Sequence, residues 1–141
     1  MSARPPHGSG PSSLTRAIPL LVIALTAVHF AVFVVASTTV GAVARDGFWN
    51  AVTGNPRREF EMWFFLAGFG LLALGTLSRR VVRDTGRLPA QLGWYLLATG
   101  VPLQILSPVS GAPGLIALGV LALIAARRDS AAARAGHIPP P

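Results

Sequence analysis

The feature that most constrains this chain is the run from Ala17 to Ala44, AIPLLVIALTAVHFAVFVVASTTVGAVA, 28 residues without one Arg, Lys, Asp or Glu. A helix at the surface of a soluble domain needs a polar face. A helix that crosses a bilayer needs roughly 20 apolar residues, with about 17 as the lower limit. Two further uncharged windows follow, 62–78 and 88–126. The last spans 39 residues and contains SPVSGAPG at 107–114, whose prolines and glycines favour a turn. Four membrane-crossing segments are therefore expected, at 18–43, 57–79, 89–106 and 112–127. The expected fold is all-α, a four-transmembrane-helix bundle.

Composition agrees with a membrane address. Only 12% of the 141 residues are charged and mean hydropathy is +0.57, whereas soluble domains carry about 25% charge. There is no Cys, which excludes disulfides, thiolate metal sites and a Cys nucleophile. The net charge of +7 raises nucleic acid as a partner. Yet the arginines form no single stripe; they punctuate the apolar runs, as helix anchors do. No nucleic-acid partner is expected. Membrane lipids are, with a second copy of the chain or a membrane partner protein left open.

The organisation follows. Residues 1–16, rich in Pro, Gly and Ser, read as a disordered tail; 17–128 form the membrane domain; 129–141 read as a second tail, with a short helical continuation allowed through Ala131–Ala133. His7 and His137 fall in these tails and read as solvated. A cleaved signal peptide competes for the first segment, with Arg16 as its basic end and Ala42-Val43-Ala44 as a cleavage pattern. Signal cores run about 7–15 residues, and Ile18–Ala36 is already 19, so a retained helix is expected.

Arginine placement sets orientation. Arg4, Arg16, Arg79, Arg80, Arg83, Arg87, Arg127, Arg128 and Arg134 fall on one side; Arg45, Arg57 and Arg58 fall on the other, beside Asp46, Glu59 and Glu61. Both termini are thus expected in the cytoplasm of a multi-pass plasma (inner) membrane protein. In the outer loop, Asp46 is expected to cap a short interfacial helix through Val52 ended by Gly54. Asn55-Pro56 then reads as cap and first turn of the second segment. Gly68 and Gly75, and Gly93 and Gly100, are each seven apart. Each pair lies on one helical face, where small residues allow close helix approach in lipid; Gly114, Gly119, Ala122 and Ala126 serve the same use in the fourth segment.

Five stretches carry a family likeness: His29 in the first segment, DGFWNAV at 46–52, RREFEMWFFLAGFGLLALG at 57–75, LPAQLGWYLL at 88–97 and PVSGAPG at 108–114. Together they resemble a bacterial family of small four-helix membrane proteins classed as a domain of unknown function. The DGxWN loop and the P-x-SG turn are the specific parts. Members often carry glycines around the histidine; here Leu25, Thr26, Phe30 and Phe33 occupy those positions. The resemblance implies a fold and a membrane address and supplies no activity.

His29 is the one ionisable group deep in an apolar segment, roughly 18 Å from its inner end at about 1.5 Å per residue. Such residues usually face the bundle interior and find a partner. Thr26, His29, Phe33 and Ser37 share one stripe, at spacings of 3, 4 and 4, expected to face inward. Gln104 and Glu61, with Ser107 and Ser110 in the second outer turn, are the candidate partners, which suggests a small polar cavity in the outer half built from His29, Gln104 and Glu61. Thr26, His29, Phe33 and Gln104 are the candidate ligand-binding residues; His29 and Glu61 are the candidate catalytic ones. The preferred reading of His29 is a hydrogen-bonded packing residue, an interaction worth on the order of 1 kcal/mol. No cofactor or metal is expected: haem finds one intramembrane His, and zinc needs three or four ligands. Glu59 and Glu61 point to different sides of a helix and make a poor acid/base pair.

No Walker-type loop, G-x-S-x-G or phosphate fingerprint is present. The expected function is accordingly that of a non-enzymatic four-helix membrane component or a small bundle binding lipid or another apolar ligand. A small intramembrane enzyme using His29 as acid/base, and more weakly a proton-coupled transporter acting as an oligomer, are the alternatives.

Overall fold

The computed structural model describes residues 11–135; most of the expected N-terminal tail, the end of the C-terminal one, and His7 and His137 lie outside the described residues. The regular structure described is helical throughout: α1 (Ser13–Ala36), α2 (Thr39–Arg45), α3 (Pro56–Thr85), α4 (Ala90–Leu106) and α5 (Ala112–Ala135). The backbone divides into two compact units, one of Pro19–Leu77 and one of the residues through Ile18 with those from Ser78 on. α1 and α3 are long and apolar enough to cross a membrane. α4 has 17 residues, and the apolar part of α5 ends at Ala126, before Arg127. Two helices, rather than the expected four, thus meet the length and apolarity of a membrane span.

The first expected helix, 18–43, is two helices. α1 stops at Ala36, and the Ser37 N–H makes the last helical bond, to the Phe33 carbonyl at 2.8 Å. The Ser37 hydroxyl oxygen then accepts from the Thr39 N–H at 3.1 Å. Short hydroxyl side chains offer the backbone such partners in place of helical ones, and β-branched Val34 and Val35 weaken the helix just before them.

The interfacial helix expected over 46–52 is absent, and α2 precedes it. Asp46-Gly47 closes a helix instead of opening one. Gly47 (φ +78°) gives its N–H to the Ala44 carbonyl and Phe48 gives its N–H to that of Val43, at 3.3 and 3.0 Å. This pair of bonds is the Schellman helix end, which needs a left-handed residue that glycine adopts at little strain. Phe48 and Asn50 also take positive φ, so no helix can run through them.

α3 opens as expected. The Asn55 side-chain oxygen accepts the Arg58 N–H at 3.2 Å, and Glu59 reaches back to the Gly54 N–H at 3.0 Å. It runs past the expected end at 79 to Thr85, where Gly86 (φ +71°) terminates it. α5 likewise passes 127 and reaches Ala135, so the described part of the expected C-terminal tail is helical. Charge marks where an apolar slab would end; it does not end a helix, and the alanine-rich sequence here favours helix continuation.

Within each unit, glycines set how near the helices approach. Residue 68 of α3 has no room for a Cβ, which would come within 2.6 Å of the Phe30 ring and 2.9 Å of His29 Cδ2; at residue 75 it would meet Ile23 at 2.8 Å. α1 and α3 are therefore antiparallel neighbours. In the other unit Gly93 and Gly119 face each other: a Cβ on 93 would lie 2.8 Å from the Gly119 carbonyl oxygen, and one on 119 would lie 3.1 Å from that of Gly93. At residue 100 it would meet Leu115 and Ile116 at 3.0 Å. The expected small-residue faces are the contact faces of these pairs.

Candidate functional site

In the Pro19–Leu77 unit, α1 and the residue after it present the expected stripe inward: Thr26 and Phe33 are buried, His29 and Ser37 half-buried. Their partners differ from those expected. Thr26 spends its hydroxyl on its own helix, donating to the Val22 carbonyl at 2.9 Å. His29 Nε2 donates to the Phe64 carbonyl of α3 at 2.7 Å, and its ring stacks on that of Phe64 at a centroid distance of 3.9 Å. Phe30, Phe33, Phe65 and Phe69 continue an aromatic cluster, with ring centroids 4.8–5.5 Å apart in its contacts, the range in which aromatic pairs attract.

Within its own unit His29 thus bonds the α3 backbone and not the expected Glu61. The Glu61 carboxylate is used nearby: Oε2 accepts the Ser37 hydroxyl at 2.6 Å and Oε1 accepts Arg57 Nε at 2.9 Å. Gln104 belongs to the other unit, where its Oε1 is buried without a hydrogen-bond partner among the described residues. The candidate acid/base residues His29 and Glu61 are thus each committed elsewhere. Among the described residues no three His, Asp or Glu gather as a metal site would require.

The structure offers a cleft instead. Val32, Phe33 and Ala36 of α1, Ser37 just after it, and Arg57, Phe60, Glu61 and Phe64 of α3 line a groove of about 350 Å³. Of the expected ligand-binding residues Phe33 lines it; His29 lies behind Phe64 rather than on its wall. Because α1 and α3 are antiparallel, Ser37, Arg57 and Glu61 gather at one end and the rest of the wall is apolar. Arg58, the next residue, braces the loop: its guanidinium meets the Asp46 carboxylate at 2.6 Å and the Ala51 carbonyl at 2.9 Å. This end of the chain balances its charge, with Arg45, Arg57 and Arg58 against Asp46, Glu59 and Glu61.

The second polar cluster was not legible as one. Asp129, assigned from sequence to a tail, is a hub in the other unit. Its carboxylate accepts the buried Thr15 hydroxyl on both oxygens, at 3.0 and 3.1 Å, and the Leu88 N–H at 2.9 Å. Asp129 thereby ties the start of α1 and the turn before α4 to α5. A lone acid beside two arginines gives no sequence sign of such a role.

No curated protein matches the chain, and no solved structure does. Residues 13–129 match a family described as "Family of unknown function (DUF6463)". The match takes in all five helices but the end of α5, and with it the His29 stripe, the cleft and the Asp129 hub; the chain belongs to this family.

Proposed function

We propose that this protein is a non-enzymatic integral membrane protein that crosses the bilayer four times, keeps both termini on the cytoplasmic side, and holds an apolar chain in the α1–α3 cleft. The observation that carries this reading is the apolar exposure of α1 and α3. Val28 and Val35 of α1 are 58% and 87% exposed, and Trp63 and Phe69 of α3 are 71% and 51% exposed. Soluble monomers rarely show contiguous apolar surface of that kind. The short α4 and the short apolar part of α5 suit a crossing with local thinning of the bilayer, and nine of twelve arginines fall on the side assigned to the cytoplasm.

The test is extraction and topology. Washing membranes with alkaline carbonate should leave the full chain in the pellet; recovery in the wash overturns the reading. Because the chain has no Cys, single cysteines placed at Ser12, Trp49, Val109 and Ala132 report cleanly to a membrane-impermeant thiol reagent. Labelling of Trp49 and Val109 from outside, with Ser12 and Ala132 protected until lysis, is the expected pattern. Termini on opposite faces would overturn it.

A further inference from the structure

The geometry points to a phospholipid as the occupant of the α1–α3 cleft, with one acyl chain along the apolar wall and its phosphodiester on Arg57. This rests on the apolar-chain reading above and adds the chemistry of the head group.

The argument begins with Glu61. Both of its oxygens are used inside the protein, one by the Ser37 hydroxyl and one by Arg57 Nε. Its side chain is only 14% exposed, while that of Arg57 is 72% exposed. The carboxylate thus holds the guanidinium by its inner edge. The two terminal nitrogens of Arg57 meet no protein acceptor among the described residues. A planar fork of N–H donors held this way matches the paired oxygens of a phosphate. Arg58 is less available: its Nη1 is already shared between the Asp46 carboxylate and the Ala51 carbonyl, and its side chain is 26% exposed against 72% for Arg57.

The wall completes the assignment. Below Arg57 the groove is formed by Phe33, Ala36, Phe60 and Phe64, which suit a hydrocarbon chain. Its roughly 350 Å³ lies at the small end of ligand sites, enough for one chain and too little for a bulky ring system with its head group. A cationic head would meet the guanidinium with like charge. An uncharged head would leave its two terminal nitrogens without an anionic acceptor. A bilayer supplies the phosphodiester amphiphile at high local concentration, so even modest affinity fills the site by mass action.

The test is lipid titration of the delipidated full chain in detergent, read by native mass spectrometry, with phosphatidylglycerol, the diacylglycerol of the same chains, and the matching free fatty acid. The wild type should bind phosphatidylglycerol at least about tenfold more tightly than diacylglycerol, the size of one charge-assisted hydrogen bond. Arg57→Gln should remove that preference and leave diacylglycerol binding unchanged, Arg57→Lys should fall between, and Arg79→Gln should bind like wild type. Ala36→Trp, which fills the groove from an exposed position, should weaken both lipids. If Arg57→Gln binds phosphatidylglycerol as wild type does, or the fatty acid binds more tightly than the phospholipid, the head-group assignment is overturned, and weakening of both lipids by Ala36→Trp then shows that the cleft reading survives. If Ala36→Trp changes neither lipid, the cleft reading falls as well. Circular dichroism on each variant confirms that the helices are intact.

Discussion

His29 lies directly against Gly68: the imidazole Cδ2 occupies space that a side chain on residue 68 would need, and Nε2 bonds the Phe64 carbonyl one turn earlier on the same helix. The glycine lets the α3 backbone approach α1 closely enough for a side chain to reach a main-chain acceptor. The histidine in the apolar run is thus explained as a polar contact between helices, made possible by a hydrogen on the facing Cα.

The pair should behave as one unit. His29→Ala is expected to lower stability by about 1 kcal/mol, the scale of such bonds between membrane helices, and Gly68→Ala by about 1–3 kcal/mol through overpacking. The double variant should cost less than the sum, because removing the imidazole relieves one of the two ring contacts that crowd the new methyl, the Phe30 ring being the other. Reversible unfolding in mixed micelles measures all three; strict additivity would show that the contact is incidental.

Gly93→Ala should be worse than Gly68→Ala. At residue 68 the nearest obstacles are ring atoms of Phe30 and His29, which can rotate; at residue 93 they include the Gly119 carbonyl oxygen at 2.8 Å, which moves only with α5. Gly70, with nothing within 4 Å, is the internal control, and Gly70→Ala should be neutral or gain up to about 1 kcal/mol from helix propensity. The same unfolding assay ranks the three variants.

Gly47→Ala should destabilise the end of α2 by about 1 kcal/mol, because an L side chain is strained at φ +78°. The effect should be local. Faster amide exchange at Gly47 and Phe48, whose N–H groups close α2, with unchanged protection in α4 and α5, is the expected result.

Asp129→Ala should cost about 1–3 kcal/mol, since it leaves the Leu88 N–H without its acceptor and the buried Thr15 hydroxyl with only that of Ser12. Asp129→Asn keeps one acceptor oxygen and should cost less. A tail residue would give no change in either variant, so thermal denaturation of the pair separates a hub from a bystander.

The sequence alone disclosed a good deal. The uncharged run from Ala17 foretold α1 and the window at 62–78 foretold the centre of α3, because apolar length is a property of consecutive residues. Asn55-Pro56 announced the start of α3, and the heptad-spaced glycines announced the contact faces. Where inference along the chain failed, the competing signals were also local but ambiguous. Asp46-Gly47 is equally a helix start or a helix end, and which it becomes depends on Ser37 breaking the helix before it. Charges at Arg79 and Arg127 limit only the apolar part of a helix and do not mark where it ends.

Partners could not be read this way at all. His29 faces Phe64, Ser37 faces Glu61 and Thr15 faces Asp129, and each pair is brought together by how two helices slide and rotate against each other. The order of residues determined that this chain is helical, apolar and asymmetric in its arginines, since those follow from propensity and from adding up neighbours. Only tertiary packing decided which polar groups meet and where a groove is left open, because a shift of one helical turn, about 5.4 Å, would keep every local preference and exchange every contact.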